Sequence, residues 1–172
     1  NYDENGNPLS YKDYSFTIEN GKITEMINSD NEILFEYNSL GIRTKKIVND
    51  TIYEYTTYSD ILYREEVISP ESTYTIDYIY DENNIAVGFT YNENNYFYVR
   101  NLLQEIVFIV NEQSQIVGEY YYDAYGNILN LDELTNIAKA NSIRYKGYYY
   151  DDETQLYWVS SRYYSPELCR WI

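Results

Sequence analysis

The feature that most constrains this chain is a short motif that returns along its length. It reads as an aromatic or β-branched run, then Tyr-Asp or a near variant, then a Gly/Asn turn, then aliphatic residues. The copies are Tyr2-Asp3-Glu4-Asn5-Gly6-Asn7-Pro8-Leu9, Tyr37-Asn38-Ser39-Leu40-Gly41-Ile42-Arg43, Tyr80-Asp81-Glu82-Asn83-Asn84-Ile85, Tyr122-Asp123-Ala124-Tyr125-Gly126-Asn127-Ile128-Leu129 and Tyr150-Asp151-Asp152-Glu153-Thr154-Gln155-Leu156-Tyr157. Degenerate copies stand at Tyr91-Asn92-Glu93-Asn94-Asn95 and Val110-Asn111-Glu112-Gln113-Ser114. Each has the chemistry of a hairpin. Tyr closes a strand, and the short Asp or Asn side chain bonds backbone a residue or two on. Gly or Asn then supplies positive φ at little cost, and the aliphatics begin the returning strand. The Asp of each pair therefore reads as a turn former and not as an acid catalyst.

The residues between the turns agree. Tyr14-Ser15-Phe16-Thr17-Ile18, Thr51-Ile52-Tyr53-Glu54-Tyr55-Thr56 and Thr73-Tyr74-Thr75-Ile76-Asp77-Tyr78 alternate with period two. Ile106-Val107-Phe108-Ile109-Val110 is continuously apolar and predicts a strand covered on both faces. The 25 tyrosines suit a half-buried pleated surface, where the ring packs and the hydroxyl reaches water or backbone. The expected fold is all-β, an antiparallel sheet of successive hairpins. One stretch breaks the pattern: Leu131, Leu134 and Ile137/Ala138 share a helical stripe, which predicts a short helix near 131–140 with Asn130 placed to cap it. No Pro- or Gly-rich linker interrupts the 172 residues, so residues 1–98 and 99–172 read as one continuous repeat module. The opening at Asn1 without Met and the stop at Ile172 read as cuts in a longer polypeptide.

Charge and composition exclude several functions. A net charge of −16 repels phosphate backbones and disfavours nucleic acid as a partner. The acids instead keep a sheet-rich chain soluble and its edges unpaired. With no histidine there is no His-dependent triad and no common zinc site, so no metal, cofactor or catalytic residue is assigned. The single cysteine, Cys169, has no disulfide partner in the chain, and any activation as a nucleophile would fall to Arg162 or Arg170. No apolar run is long enough for a membrane-spanning helix, and no signal peptide is present. Asp151-Asp152-Glu153 is acidic enough for a cation but reads as a hairpin turn. Arg144, Arg162 and Arg170 lie among aromatics, where stacking with carboxylate pairing is the expected role. The Tyr and Trp rows are needed for cross-strand packing, though such rows also suit carbohydrate rings.

The C-terminal block carries a resemblance. Tyr145-Lys146-Gly147-Tyr148-Tyr149-Tyr150-Asp151-Asp152-Glu153-Thr154-Gln155-Leu156-Tyr157-Trp158, followed by Arg162-Tyr163-Tyr164-Ser165-Pro166-Glu167 and Arg170-Trp171-Ile172, resembles the RHS repeat-associated core that closes YD-repeat proteins. The matching positions are Tyr122, Asp123, Gly126, Asn127, Gly147, Tyr150, Asp151, Glu153, Leu156, Tyr157, Arg162, Tyr163, Tyr164, Pro166 and Arg170. The chain departs from the pattern at Ser165, where relatives often carry Asp, and at Gln155 and Cys169, where they carry Gly.

The resemblance implies a sheet strip that curves or spirals into a shell. It implies a structural protein, not an enzyme, of a secreted or bacterial cell-surface or cell-wall polypeptide that encapsulates or presents a variable C-terminal toxin. The partners are then the rest of the shell and that effector. The alternatives are an adhesion module for a glycan or another cell, or part of a self-cleaving protein whose cleavage residues lie beyond Ile172. As an isolated piece, the chain is expected to self-associate through the edge near Thr17 and Ile18 or through an aromatic face.

Overall fold

The computed structural model describes Glu4, residues 8–160 and residues 162–172, so the first Tyr-Asp copy lies outside the described residues except for Glu4, Pro8 and Leu9. Among the described residues the chain is mostly β. Twelve strands lie side by side in sequence order in an antiparallel sheet, and four more form a second sheet. Contacts divide the chain into two compact units: Asn1–Thr75 with Ser160–Arg162 and Ile172, and Ile76–Val159 with Tyr163–Trp171.

The first unit holds β1 (Ser10–Tyr11), β2 (Tyr14–Glu19), β3 (Lys22–Ile27), β4 (Glu32–Tyr37), β5 (Arg43–Val48), β6 (Thr51–Tyr58) and β7 (Ile61–Ile68). Alternation decides which face is buried. In β2, Tyr14 and Phe16 turn inward while Ser15 and Thr17 turn out. The short β1 pairs with β2 only at Tyr14 and Ser15, and Leu9 accepts the amide of Phe16, so no β1 residue pairs with Thr17 or Ile18. Two cations are buried in this apolar face. Arg43 lies with its guanidinium carbon 4.9 Å from the ring centre of Tyr55 and 5.5 Å from that of Phe35. Lys46 Nζ sits 4.2 Å over Tyr53, its direct cross-strand partner. Ring faces that attract a cation let these side chains stay inside a sheet core.

The second unit takes up most of β8 (Thr73–Tyr80), then β9 (Ala86–Tyr91), β10 (Asn94–Arg100), β11 (Ile106–Asn111) and β12 (Ile116–Glu119). Gly88 is required here, because a Cβ on it would come within 2.2 Å of the Tyr96 carbonyl oxygen. The apolar run 106–110 is not covered on both faces as its composition suggests: Ile106 and Ile109 are buried, but Val107, Phe108 and Val110 are only half-buried.

The predicted helix is broken. A 3-10 turn spans Leu131–Glu133, Leu134 is extended, and α1 covers only Asn136–Ala140. Asn130 does not cap it. Its amide oxygen accepts from the Tyr121 N–H (2.9 Å) and its Nδ2 donates to the Glu119 carbonyl (3.1 Å), so it bridges the chain leaving β12. Thr135 is the cap, accepting from the Ala138 N–H while donating to the Val117 carbonyl at 2.6 Å. The Thr hydroxyl satisfies an orphan helix N–H and docks the helix on β12 in one step.

Five of the reversals share one construction. Asp123 Oδ1 accepts the N–H of Tyr125 (2.8 Å) and of Asn127 (3.0 Å). Asn38 does the same to Leu40 and Ile42, Asp81 to Asn83 and Ile85, Asn101 to Leu103 and Glu105, and Asn111 to Gln113 and Gln115. In every case the carbonyl of the first residue accepts the amide three residues on, and that residue (Gly41, Asn84, Gln104, Ser114 or Gly126) has positive φ. Asn serves as well as Asp, so the motif needs an acceptor oxygen and not a charge. Pairing register shifts just before several of these turns, at Glu36/Tyr37, Ile79/Tyr80 and Val99/Arg100, and such a bulge re-aims the last side chain of the strand.

Asp123 tests this construction. Burial pushes its carboxyl pKa up, but hydrogen bonds from Asn127 and from the backbone of Tyr125, Asn127 and Gly126 outweigh that and hold it below the usual value. A depressed folded value stabilises the fold above the ordinary carboxylate range, and that gain is lost as pH falls through the folded value. Asp123→Ala should cost about 0.5–2 kcal/mol at neutral pH. Asp123→Asn should keep most neutral stability and flatten the decline in acid. Urea midpoints at the two pH values measure both, and a full Asn loss at neutral pH would assign the charge a role of its own.

Candidate functional site

The residues singled out by the C-terminal motif gather around the Asp123 turn. Beyond α1 the chain passes through a 3-10 turn at Tyr145–Gly147 into β13 (Tyr149–Asp151), β14 (Leu156–Val159), β15 (Arg162–Ser165) and β16 (Arg170–Trp171). Three tyrosine hydroxyls from this block donate to successive carbonyls of the turn: Tyr145 to Ala124 (3.3 Å), Tyr164 to Tyr125 (3.0 Å) and Tyr157 to Gly126 (2.8 Å). Asn127 adds a bond from Nδ2 to the Pro166 carbonyl. Gly126 is fixed twice over, by φ +94 and because a Cβ would lie 2.6 Å from the Tyr145 ring. The Tyr-Asp turn is thus held from within by its own Asp and from without by the tyrosines of the motif.

Beside the turn lies a buried polar centre. Arg144 is fully buried, and its Nη atoms donate to both oxygens of Asp152 at 2.8 and 2.9 Å. Its Nε donates to the Asn141 carbonyl, and its guanidinium carbon stands 4.7 Å from the Tyr150 ring and 5.6 Å from Tyr120. Burial opposes the charge, but Asp152 and the neighbouring tyrosines raise the Arg144 pKa above its ordinary value. Asn141 ties this centre to the sheet. It accepts from Tyr98 Oη at 2.6 Å and donates to Tyr120 Oη, which in turn donates to the Ala138 carbonyl. Burial raises the pKa of the Tyr98, Tyr120, Tyr122 and Tyr157 hydroxyls, so each stays protonated, and Tyr98, Tyr120 and Tyr157 donate.

The other predicted residues take several positions. Leu156, Tyr150, Tyr157, Tyr163 and Pro166 are buried, and Glu153 is half-buried. Gly147 has φ +79 in its 3-10 turn. Asp151 is buried at the end of β13, where its backbone carbonyl accepts from the Gln155 N–H. Arg162 and Arg170 are exposed on β15 and β16 and do not join Arg144. Among the described residues no group of three or more His, Cys, Asp or Glu could hold a metal ion. At the departures from the motif, Gln155 has φ +59 and Cys169 φ +53, the left-handed region where glycine is unstrained. Ser165 Oγ accepts the Leu168 amide, the bond an Asp there would also make.

Two predictions follow from this geometry. Tyr122 Oη is buried with no hydrogen-bond partner, whereas Tyr157 Oη holds Gly126. Tyr122→Phe removes an unpaired buried hydroxyl and should raise stability by up to about 1 kcal/mol, whereas Tyr157→Phe should cost about 1–3 kcal/mol. Equal losses in chemical denaturation would show that the hydroxyls do not act through the turn. Gln155→Gly should stabilise by about 0.5–1 kcal/mol through relief of the left-handed strain, and a lower melting temperature would contradict it.

A family model described as the Teneurin YD-shell matches residues 1–172. The chain is 34% identical over 169 residues to tRNA nuclease WapA of Bacillus subtilis (strain 168), covering 96% of this chain and 7% of that protein. It is 35% identical over the same length to tRNA(Glu)-specific nuclease WapA of Bacillus subtilis subsp. natto (strain BEST195), again 96% of this chain and 7% of that one. The chain spans 7% of the length of these curated relatives. Among solved structures, TcdB2-TccC3 superposes with a TM-score of 0.75 at 19% identity, over 99% of this chain and 10% of that one. The Photorhabdus luminescens Tc holotoxin pore with a TccC3 variant gives 0.75 at 18% identity, over 99% and 9%. At these identities the structures share the fold.

Proposed function

Since the chain belongs to the teneurin YD-shell family, we propose that it is a wall segment of a larger bacterial YD-repeat shell that encloses or presents a variable C-terminal toxin or effector. The observation that carries this reading is the open face of the twelve-stranded sheet in each unit. In the first unit Leu34, Ile47, Ile52 and Ile68 pair in register across β4–β7, beside the row Glu36, Lys45, Glu54, Glu66. In the second unit Ile79, Gly88, Phe97, Val110 and Ile116 pair across β8–β12. Leu34, Phe97 and Ile116 are exposed and the other apolar members of the rows, Gly88 aside, are half-buried. A soluble monomer rarely leaves apolar surface of this kind in rows. Apolar rows beside mixed charges hold a neighbour without demanding one shape, which suits a cargo whose sequence varies.

In this reading the segment contributes no catalytic residue. Any self-cleavage of the full polypeptide falls to residues beyond Ile172, and the protein works after export or at the cell surface. A second reading, adhesion to a glycan, is favoured by the exposed rings of Tyr58, Tyr125 and Trp171. Limited proteolysis of the full-length polypeptide separates them. Enclosure requires the part after Ile172 to resist protease while the shell is folded and to be cut once it is unfolded. Equal cutting in both states, with glycan-array binding that Trp171→Ala abolishes, would replace enclosure with adhesion.

The isolated segment should also associate with itself. The open apolar rows favour it, and the −16 charge opposes it. Salt screens that repulsion beyond about 8–10 Å but leaves short-range contacts intact. Light scattering should show larger species at high than at low ionic strength. A monomer in both would mean that the rows are covered.

A further inference from the structure

On the open face of the first unit two rows run side by side across β4–β7. Leu34, Ile47, Ile52 and Ile68 pair in register, and two residues away on each strand Glu36, Lys45, Glu54 and Glu66 pair in register too. Over the charged row lies a groove of about 320 Å³, which Thr56 and Arg64 also line. Lys45 Nζ stands 3.4 Å from Glu54, and Glu54 and Glu66 are direct cross-strand partners. With Arg64 counted, the groove sets the three carboxylates of Glu36, Glu54 and Glu66 against two cations.

Solubility asks only for charge on an open face. It does not ask for two carboxylates directly opposite each other, an arrangement that weakens a sheet. Nor does it ask for an apolar row beside them, which is better covered than left to water. Together the rows suit a ligand that carries an apolar group and a cation at a fixed spacing. In an extended chain residues i and i+2 point the same way, about 6.6–7 Å apart, and the two rows are separated by that same two-residue step. We propose that this face binds an extended polypeptide lying along the strands, with an aliphatic side chain on the apolar row and a Lys or Arg two residues away between Glu54 and Glu66. The occupant rests on the enclosure reading: it is a segment of the enclosed cargo, here given a chemistry.

The positions along the charged row are not equivalent. Lys45 stands between Glu36 and Glu54 and repels a second cation on that side. Arg64 lies beyond Glu66, away from the apolar row, since Arg64, Glu66 and Ile68 follow one another on the same face of β7. The incoming cation therefore settles between β6 and β7, where Ile52 and Ile68 meet the aliphatic group. There it has two carboxylates to bond, and its arrival relieves their opposition. What the face recognises is a spacing and a charge, not a sequence, which is what a wall meeting variable cargo requires. An acidic segment with the same spacing is repelled.

Two synthetic peptides of one composition test this, repeats of Leu-Ser-Lys-Ser and of Leu-Lys-Ser-Ser. They carry the same charge, but only the first puts Leu and Lys on one side of an extended chain. Binding of the labelled peptides to this chain is read by fluorescence anisotropy at low ionic strength. The first should bind about five-fold more tightly than the second. Glu54→Gln/Glu66→Gln should abolish that preference. Glu71→Gln/Glu82→Gln, which changes the net charge equally at two exposed turn residues, should keep it. Equal affinity for the two spacings, or the same loss in both double variants, leaves only attraction of a cation to a chain of charge −16 and overturns the proposal. Absence of binding overturns it too. If Glu54→Gln/Glu66→Gln fails to fold by circular dichroism, the spacing comparison on the unaltered chain decides. Protease protection of the part after Ile172 reads enclosure separately. A missing preference with protection intact sinks the groove alone, and lost protection with the preference intact sinks enclosure alone.

Discussion

The constraint on which the structure rests is the need to satisfy backbone polar groups where the chain turns back. A hairpin sheet exposes amides and carbonyls at every reversal, and each left unpaired costs free energy. Here one side-chain oxygen accepts two amides at Asn38, Asp81, Asn101, Asn111 and Asp123. Each such turn is closed locally, without help from a distant element. Strands joined this way can be added one after another in sequence order, which is the order the sheet has. At Asp123 the carbonyl side is closed as well, by Tyr145, Tyr157 and Tyr164. That turn is where the repeating sheet meets the second, four-stranded sheet.

The parts of the fold legible in the sequence are those whose chemistry is local. Tyr-Asp followed by Gly or Asn marks reversals at Asn38, Asp81 and Asp123 because the turn is made by those residues themselves. The full turn at Asn101 is not legible as a copy, since Arg100 stands in the place of the Tyr and Gln104 supplies the positive φ. The signal that finds it is the acceptor followed three residues later by a residue able to turn left-handed, with the preceding tyrosine dropped from the pattern. The helix near 131–140 was legible by its apolar stripe, but its cap was not. Asn130 and Thr135 are both capable caps, and only the neighbouring strand decides: Glu119 and Tyr121 occupy Asn130, while the Val117 carbonyl positions Thr135.

Non-local chemistry was harder to read. Arg144, Arg162 and Arg170 look alike among aromatics, yet only Arg144 is buried. Its site needs the Asn141 and Lys139 carbonyls, two ring faces and Asp152 at once, and no spacing rule brings those together. Arg43 and Lys46 were hidden for a related reason. Period-two reading sends a charged residue to the solvent face, whereas here aromatic cross-strand neighbours draw it inside.

Tyrosine rather than phenylalanine fills this chain because the same residue must do two jobs that pull in opposite directions. Its ring must be buried to build a sheet core of modest thickness, and its hydroxyl must reach a backbone group that would otherwise be unpaired. Tyr37 does this in the first unit, donating to the Ile23 carbonyl, and Tyr120, Tyr157 and Tyr164 do it in the second. Tyr122 is the exception that separates the two jobs, since its ring packs on Tyr120 and Tyr145 while its hydroxyl finds no acceptor. A position where the ring alone contributes is one where the tyrosine is held by packing, so the Tyr of the Tyr-Asp pair and the Asp that follows it stabilise the turn by independent means. Adjacent residues still couple through the backbone they share, so a double-mutant cycle of Tyr122 and Asp123 should leave a residual interaction energy even though no hydrogen bond joins them.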